Sequence, residues 1–288
     1  TTNYFKPTRT LNADDVIWSF ERQLDPNHPW HNKSLVGYPY FESMGFKNLL
    51  KSVEKVDDMT VKFTLNHPES PFLRDIAMPF TSIYSAEYAD QLLKAGKTQE
   101  LNSNPIGTGP FIFVRYNKDA QVRFKANPDY FRGKPPSDVL IFAVTTDSNV
   151  RLQKLKANEC QIALYPKPDD VKNIRKDPNL KVDEMAALMT SYIAMNTSHK
   201  YLSDARVRKA IDMAFDKQVY LNTLHGEGNA LIAINPYPPT MLGFNKNIQS
   251  PPRDLDKARA LLKEAGVPPG TAFTLFTRNG GGPTNPNP

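Results

Sequence analysis

The chain contains little of several residue types that build covalent or metal-bound sites. Cys160 is the single cysteine among 288 residues, so no disulfide can form within the chain and a cysteine-based zinc site is excluded. No apolar run is as long as a membrane-spanning helix, which needs about 18 residues. Basic residues never form a run of five or more, so the sequence lacks the basic tail typical of nucleic-acid binding.

Histidines and paired acids give no catalytic or metal-binding pattern. His28 and His31 lie in a proline-containing loop without the i, i+4 spacing of helical metal ligands. Adjacent acids lie where helix starts or turns are expected, and there they suit the helix dipole or an Asx turn. These pairs are Asp14-Asp15, Asp57-Asp58 and Asp169-Asp170. We therefore predict no catalytic residue, no metal and no cofactor.

The remaining composition is that of a globular protein with a solvated charged surface. Hydrophobic residues make up 40% and charged residues 23% of the chain, and the formal net charge is +6. This balance allows a substantial core. Because the basic residues are scattered among 30 acids, we predict no nucleic-acid partner. A nucleic-acid-binding domain stays an alternative that salt dependence of binding would test.

The clearest helix is predicted to start after Asn12. Asn12 is a typical N-cap, and Asp15 lies in the position of a capping box. The Asp25-Pro26 pair ends the pattern. The apolar face of this helix consists of Val16, Ile17, Phe20 and Leu24.

Further helices and strands alternate along the rest of the chain. A helix beginning near Ser203 is predicted to bury Val207, Ala210, Ile211 and Ala214. Another begins at Asp254, ends at Gly266, and has an apolar side of Ala258, Leu261, Leu262 and Ala265. Weaker helical patterns cover 86–95, 148–157 and 168–176.

Strand patterns give the fold class. Residues 52–56 with 60–65, and 111–116 with 120–125, flank short polar turns and predict two hairpins. Other predicted strands are 139–145, 161–165, 181–185, 190–195 and 271–277. The mixture indicates an α/β or mixed α+β protein. Because no partner strand follows the last one, we expect the chain to be a fragment of a longer protein.

Five sequence blocks, in conserved order along the chain, carry a family resemblance. They are LNADDVIWSFER at 11–22, NPIGTGPF at 104–111, NECQ at 158–161, VRKAIDMA at 207–214 and DLDKARALLKEAG at 254–266. This set resembles the family 5 extracellular solute-binding proteins of bacterial ABC importers, and within them the periplasmic dipeptide-binding proteins.

The resemblance implies a two-lobed, type II periplasmic-binding-protein (Venus flytrap) fold, truncated at both ends. On this basis residues 1–187 form the first lobe, lacking its N-terminal strands. Residues 188–288 form the hinge and the start of the second lobe. By the same resemblance Cys160 pairs in the intact protein with a cysteine near the mature N-terminus, outside this chain. The implied location is the periplasm, with the signal peptide absent from this fragment.

The candidate ligand-binding residues come from two segments. Tyr38 and Tyr40 lie in an aromatic loop broken by proline and are the candidate first-lobe contacts. Dipeptide-binding relatives carry an arginine shortly before an Asn-Pro-Asn segment, and it binds the ligand's C-terminal carboxylate. Here that position is Gly282, and Arg278 is a candidate substitute. The other residues of this candidate rim are Asn279, Thr284 and Asn285.

The implied function is binding without chemistry. We expect a monomeric, non-enzymatic component that binds dipeptides or short peptides between two lobes and delivers them to an inner-membrane permease with its ATPase. Haem, glutathione or antimicrobial peptides are alternative ligands on the same fold. A hydrolase using the paired acids, and a partner of a chemoreceptor, are further alternatives.

Overall fold

The computed structural model describes residues 2, 4–185 and 187–277. Its backbone contacts separate the chain into two compact units, Thr1–Val144 and Thr145–Pro288. The predicted lobes are residues 1–187 and 188–288, so their boundary differs from the boundary between these two units. The division into lobes stays a prediction. In the part of the chain described, no helix combines the length and the apolar character that crossing a bilayer requires.

The first unit mixes short helices with antiparallel strands, which confirms the mixed class. Its helices are α1 (Ala13–Leu24), α2 (Pro39–Ser43), α3 (Phe46–Leu49), α4 (Phe72–Asp75), α5 (Ala86–Lys94) and α6 (Glu100–Ser103). Its strands are β1 (Leu50–Asp57), β2 (Thr60–Leu65), β3 (Phe111–Asn117), β4 (Gln121–Ala126) and β5 (Val139–Ala143). Single turns of 3-10 helix cover His31–Lys33 and Pro79–Thr81.

Helix α1 begins as its sequence predicts. The Asn12 side chain and the Asp15 side chain form a complete capping box, which satisfies backbone donors that a helix start leaves without partners. Phe20 is 3% exposed, and the other predicted apolar residues of α1 pack around the same cluster. The helix therefore presents its predicted face to the core.

Both predicted hairpins are confirmed. Strands β1 and β2 pair antiparallel, and β3, β4 and β5 form an antiparallel sheet in that order. The predicted strand 139–145 ends earlier, at Ala143, although the Val144 N–H still donates to the Ala120 carbonyl. Two apolar clusters, one around Phe20 and Phe46 and the other around Trp30 and Tyr88, form the core of this unit.

The regular secondary structure of the second unit, over its described residues, consists of helices joined by long irregular segments. Its helices are α7 (Ser148–Lys156), α8 (Pro168–Ile174), α9 (Ala205–Ala214), α10 (Lys217–His225) and α11 (Leu255–Glu264). Helices α9 and α11 pack together through Ala210, Met213 and Ala258. The prediction that Ala214 is buried was wrong: Ala214 is exposed and Met213 is buried instead. The face of α9 that contacts α11 is therefore displaced by about one residue from the face that the apolar pattern predicted.

Four predicted strands are wrong. Residues 161–165, 181–185, 190–195 and 271–277 form no strand in the described structure. A strand needs a hydrogen-bonded neighbour, and the described ladders join only β1 through β5. Apolar side chains in these segments are left exposed, as Ile162 and Leu275 show. In the described structure these segments therefore have no neighbouring strand with which to form a sheet, despite their alternating pattern.

Candidate functional site

A cavity of about 250 Å³ in the first unit brings together the two predicted aromatic contacts. Tyr38 and Tyr40 both line it, together with Arg22 from α1 and Phe80 from the 3-10 turn Pro79–Thr81. The cavity is thus built from chain segments on either side of the β1–β2 hairpin.

The wall that carries Tyr38 is shaped by the end of α1. The Asp25 side chain accepts the Asn27 N–H at 2.8 Å, which turns the chain after the helix. The turn places Trp30 in the core, where it is 4% exposed. The Tyr38 hydroxyl then donates to the Trp30 carbonyl at 3.2 Å. The Tyr38 carbonyl accepts the Glu42 N–H at 3.0 Å, so Tyr38 is held at both its backbone and its hydroxyl end.

Tyr40 lies on a helix, which corrects the prediction of an irregular loop. Pro39 occupies the first turn of α2, a position where its missing N–H costs nothing. Because neighbouring residues on a helix face different directions, Phe41 is buried at 1% exposed while Tyr40 is 62% exposed. The Tyr40 ring is stacked on Phe80, with centroids 6.3 Å apart and planes 15° apart. This pair forms an accessible aromatic wall of the cavity.

Phe80 is held in that position by α1. The Gln23 side chain, which is buried, donates from Nε2 to the Phe80 carbonyl at 3.1 Å. The same nitrogen donates to the Ser19 carbonyl at 3.1 Å. The part of the cavity wall formed by Phe80 is therefore attached to the helix that also supplies Arg22.

Arg22 lies among three aromatic rings. Its Cζ is 4.3 Å from the ring centroid of Tyr84, 5.4 Å from that of Trp18 and 5.6 Å from that of Tyr38. Aromatic faces attract a guanidinium by cation–π interaction. These contacts order the Arg22 side chain without neutralising its charge.

The electrostatic character of the cavity is cationic and rich in donors. Arg22 and Lys33 line it, and no Asp or Glu does so among the described residues. The Nε of Arg22 and the Nε1 of Trp30 are buried, and neither has a hydrogen-bond acceptor in the described structure. Burial raises the pKa of Tyr38, and the Arg22 charge opposes that rise. The lining therefore suits a ligand group that accepts hydrogen bonds and carries negative charge.

The histidines and paired acids of this unit have structural roles. His31 Nδ1 lies 3.0 Å from the Arg22 carbonyl, and the His28 ring contacts Trp18 edge-on. Asp15 pairs with Arg9, and Asp14 pairs with Lys55. In the described part of the chain, no group of three His, Cys, Asp or Glu side chains could hold a metal ion.

The ligand-binding role of every predicted residue, Tyr38 and Tyr40 included, stays a prediction. Arg278, Asn279, Gly282, Thr284 and Asn285 lie outside the described residues. Cys160 follows α7 and is half-buried as a free thiol. Its predicted partner belongs to a segment outside this chain.

Sequence reasoning missed Arg22, Phe80 and Tyr84. Arg22 is a basic residue in the last turn of α1. Basic residues are favoured there by the helix dipole, so the position of Arg22 does not by itself indicate a binding role. Phe80 and Tyr84 come from a segment far along the chain. The Pro79-Phe80 pair was the available signal, because it repeats the proline–aromatic pattern of Pro39-Tyr40.

Comparison with known families gives one match over almost the whole chain. The family described as "Bacterial extracellular solute-binding proteins, family 5 Middle" matches residues 4–287. Di/tripeptide-binding protein 4 of Pseudomonas aeruginosa (strain UCBPP-PA14) is 63% identical over 288 residues, which are 100% of this chain and 54% of that protein. Heme-binding protein A of Haemophilus influenzae is 45% identical, over 100% of this chain and 52% of its own length.

Solved structures agree with this match. The periplasmic binding protein DppA from Helicobacter pylori, in complex with peptide STSA, superimposes with a TM-score of 0.88 at 39% identity. The match covers 94% of this chain and 52% of that one. A dipeptide-binding protein from Pseudoalteromonas sp. SM9913, in complex with Met-Leu, gives a TM-score of 0.86 at 33% identity, covering 92% and 52%. This chain spans about half the length of the relatives it matches.

Proposed function

This chain belongs to the bacterial extracellular solute-binding proteins of family 5, and we propose that the protein containing it is the peptide-binding component of an ABC importer. It binds dipeptides or short peptides in the periplasm and delivers them to an inner-membrane permease and its ATPase. No bond in the peptide is made or broken, and the protein acts as a monomer.

The observation that carries this proposal is the similarity to a di/tripeptide-binding protein, 63% identity over the full length of this chain. The fold supports it too, because the two peptide-bound structures superimpose with TM-scores of 0.88 and 0.86. The structure of DppA holds a tetrapeptide and the other a dipeptide. A peptide of two to four residues is therefore the ligand size that we propose.

The cavity beside Tyr40 supplies the first-lobe contacts in this proposal. Ligand sites combine apolar and aromatic walls with a few placed polar groups. The stacked Tyr40–Phe80 pair provides an aromatic wall, and Arg22 and Lys33 provide the polar groups. The second-lobe contacts are assigned to the segment that contains Arg278 and Asn285.

Uptake requires that ligand binding change the conformation that the permease recognises. A ligand that contacts both lobes favours the closed state, since only differential affinity for that state can shift the equilibrium. Hinge residues between the lobes absorb the rotation. The family of this chain therefore implies a binding cycle of open and closed states rather than a catalytic cycle.

The test is ligand-induced stabilisation of the full-length protein. Ala-Ala at 100 times its Kd should stabilise the folded state by about 2.7 kcal/mol, which raises Tm measurably. Free alanine is the control, since it is a single amino acid and not a peptide. The dipeptide recovered afterwards should be unchanged. Failure of Ala-Ala and of a mixed dipeptide library to raise Tm would contradict the proposal.

Haem is the second candidate ligand, favoured by one comparison. Heme-binding protein A is 45% identical over this whole chain, although the peptide-binding protein is more similar at 63%. Titration of the full-length protein with haemin distinguishes the two. A saturable haem absorbance band, together with no response to Ala-Ala, would replace the peptide assignment.

A further inference from the structure

Strands β3, β4 and β5 form a sheet whose two faces differ in chemistry. The ladder places Phe113, Phe124 and Leu140 side by side on one face, and the rings of Phe113 and Phe124 lie with centroids 5.8 Å apart. The other face carries Arg115 and Arg123. An antiparallel sheet commonly packs one face on a core and leaves the other in solvent. The aromatic face is therefore the core side of this sheet, and the second face is its solvent side.

The second face is cationic. Arg123 and Lys125 alternate along β4 and therefore point to the same side, and Arg115 of β3 lies directly opposite Arg123. These three residues are called the cationic face below. None of the residues in the described strands β3, β4 and β5 is acidic. The acids of the adjoining turns and loops lie outside the strands: Asp119, Asp129 and Asp138.

The hairpin β1–β2 of the same unit arranges its charges the other way. There Glu54 lies opposite Lys62 in the ladder, and their side chains form an ion pair at 3.9 Å. Opposite charges across a ladder stabilise a sheet, whereas like charges directly opposite each other destabilise it. The pair of Arg115 and Arg123 therefore differs from an exposed cation that only lacks a partner, because its arrangement lowers the stability of the sheet.

A β-bulge creates this like-charge pair. The register is regular where Phe113 lies opposite Phe124, and it then shifts so that Arg115 rather than Val114 lies opposite Arg123. A bulge inserts one extra residue and re-aims the side chains beside it. With a regular register, Val114 would lie opposite Arg123 and Arg115 would fall on the aromatic face. The bulge thus adds Arg115 to the face that already carries Arg123.

Exposed apolar side chains border the cationic face. Ile141 lies opposite Arg123 and Val139 opposite Lys125 in the ladder of β4 and β5, and these two side chains are 43% and 42% exposed. Arginine is enriched at protein–protein interfaces, whose centre is apolar. Sites for anionic lipid usually cluster about four to eight basic residues, more than this face has. Its composition therefore favours a protein partner over a membrane surface.

We propose that the cationic face docks onto an acidic segment of the permease that receives the ligand. The inference rests on the function proposed above, which requires a protein partner in the membrane, and it specifies the chemistry of that contact. Arg115 and Arg123 carry planar guanidinium groups, which bind carboxylates through paired hydrogen bonds. Carboxylates placed there also relieve the repulsion between the two arginines. Alternate residues of a strand lie about 7 Å apart, so acids at alternate positions of an extended segment match Arg123 and Lys125.

The experiment measures binding of the full-length protein, loaded with Ala-Ala, to the permease complex of the same organism in nanodiscs of neutral lipid. Arg115→Glu and Lys125→Glu are the test variants. Lys51→Glu is the matched control for Lys125→Glu, because Lys51 is also an exposed lysine on a strand, β1. Calorimetry with Ala-Ala and thermal unfolding are measured for every variant. Nanodiscs of anionic lipid without permease test binding to the membrane alone.

Each test variant should weaken permease binding by about tenfold or more, because like charges brought together at an interface repel each other. Lys51→Glu should change nothing, and the affinity for Ala-Ala should be the same in all variants. The Tm of Arg115→Glu should be at least that of the unmodified protein, because the new glutamate lies opposite Arg123. Added salt should weaken permease binding of the unmodified protein more than that of Arg115→Glu.

Three results overturn the inference while peptide binding stands. If both test variants bind the permease as tightly as Lys51→Glu does, docking uses another surface. If the variants lose binding to anionic nanodiscs without permease to the same extent, the partner is the membrane. If Arg115→Glu lowers Tm, an acid of the protein itself lies against Arg115. When the unmodified protein fails to bind Ala-Ala, the proposed function fails as well.

Discussion

Arg9 binds Asp15 through two guanidinium nitrogens, with Nη1 2.6 Å from Oδ2 and Nη2 2.9 Å from Oδ1. The Asp15 side chain is 2% exposed. It also accepts the Asn12 N–H at 3.0 Å and the Ala86 N–H at 2.8 Å. One carboxylate therefore joins the segment before α1, the first turn of α1 and the first turn of α5, the helix that borders the aromatic cluster around Tyr88.

Asp15→Asn should destabilise the first unit strongly. The change removes the negative charge opposite Arg9 and one acceptor of the capping box. Breaking a buried ion pair costs about 3–5 kcal/mol, and we expect the low end because the Arg9 side chain is 34% exposed. Urea unfolding followed by circular dichroism measures this loss. Asp14→Asn is the control: its side chain is 50% exposed beside Lys55, so it should cost less than about 1 kcal/mol.

The same carboxylate predicts acid sensitivity. Burial raises the pKa of Asp15, but the hydrogen bonds from Arg9 and from the N–H groups of Asn12 and Ala86 outweigh it, so the net pKa lies below the ordinary 3.8. A group with a lowered folded-state pKa stabilises the fold above its unfolded pKa, and this stability is lost as pH falls through the folded value. Unfolding free energy should therefore fall below about pH 4. Asp15→Asn should make the unfolding free energy less dependent on pH in this range. If the dependence is unchanged, other acidic residues cause it.

Helix-cap and hairpin patterns predicted local structure well, whereas four alternating patterns predicted strands that do not form. The capping box of Asn12 and Asp15 depends on two residues three positions apart, so the sequence alone identifies it. The buried face of α9 depends on where α11 lies. The Asp254 N–H donates to the Met213 carbonyl at 2.9 Å, and the Met213 side chain packs in the cluster with Ala258 of α11; both contacts join segments that are distant in the sequence. No periodicity within α9 contains that information.

The residues of the candidate site also fall into two groups, those that a local sequence pattern indicates and those that tertiary packing brings to the cavity. Tyr38 and Tyr40 were singled out from a short local pattern, aromatic residues beside a proline, and the structure places both at one cavity, although their role in binding stays a prediction. Arg22 and Phe80 were not singled out, because they meet Tyr38 and Tyr40 through tertiary packing. The hydrogen bond that brings Phe80 to α1 joins Gln23 to a residue 57 positions away. Pairings of that kind depend on the whole unit.

Gly266→Ala should destabilise the second unit modestly. Gly266 follows α11 with φ at +67°, a left-handed conformation that costs a residue with a Cβ about 1–2 kcal/mol. Nothing lies within 4 Å of the position that the added Cβ would take, so the cost comes from the backbone alone. Thermal unfolding should show a lowered Tm. Gly107→Ala is the control, because Gly107 has the same open surroundings and no positive φ. Equal effects of the two changes would refute the backbone explanation.

Tyr40→Ala should weaken peptide binding while leaving the fold stable. The Tyr40 side chain is 62% exposed, so its removal should cost less than about 1 kcal/mol of stability. The stacked wall that it forms with Phe80, 6.3 Å between centroids, would be lost to the ligand. Aromatic contacts contribute about 0.5–1.5 kcal/mol beyond area burial, so affinity for Ala-Ala, measured by calorimetry, should fall by about two- to thirteenfold.

Two further variants separate the ring from its hydroxyl and from general surface effects. Tyr40→Phe keeps the stacked ring and should bind Ala-Ala within about twofold of the unmodified protein, since stacking rather than hydrogen bonding carries the contact. Tyr116→Ala removes a comparably exposed tyrosine on β3, 58% exposed and away from the cavity, and should leave affinity unchanged. If Tyr40→Ala binds as tightly as Tyr116→Ala, the stacked pair makes no ligand contact and the first-lobe site lies elsewhere.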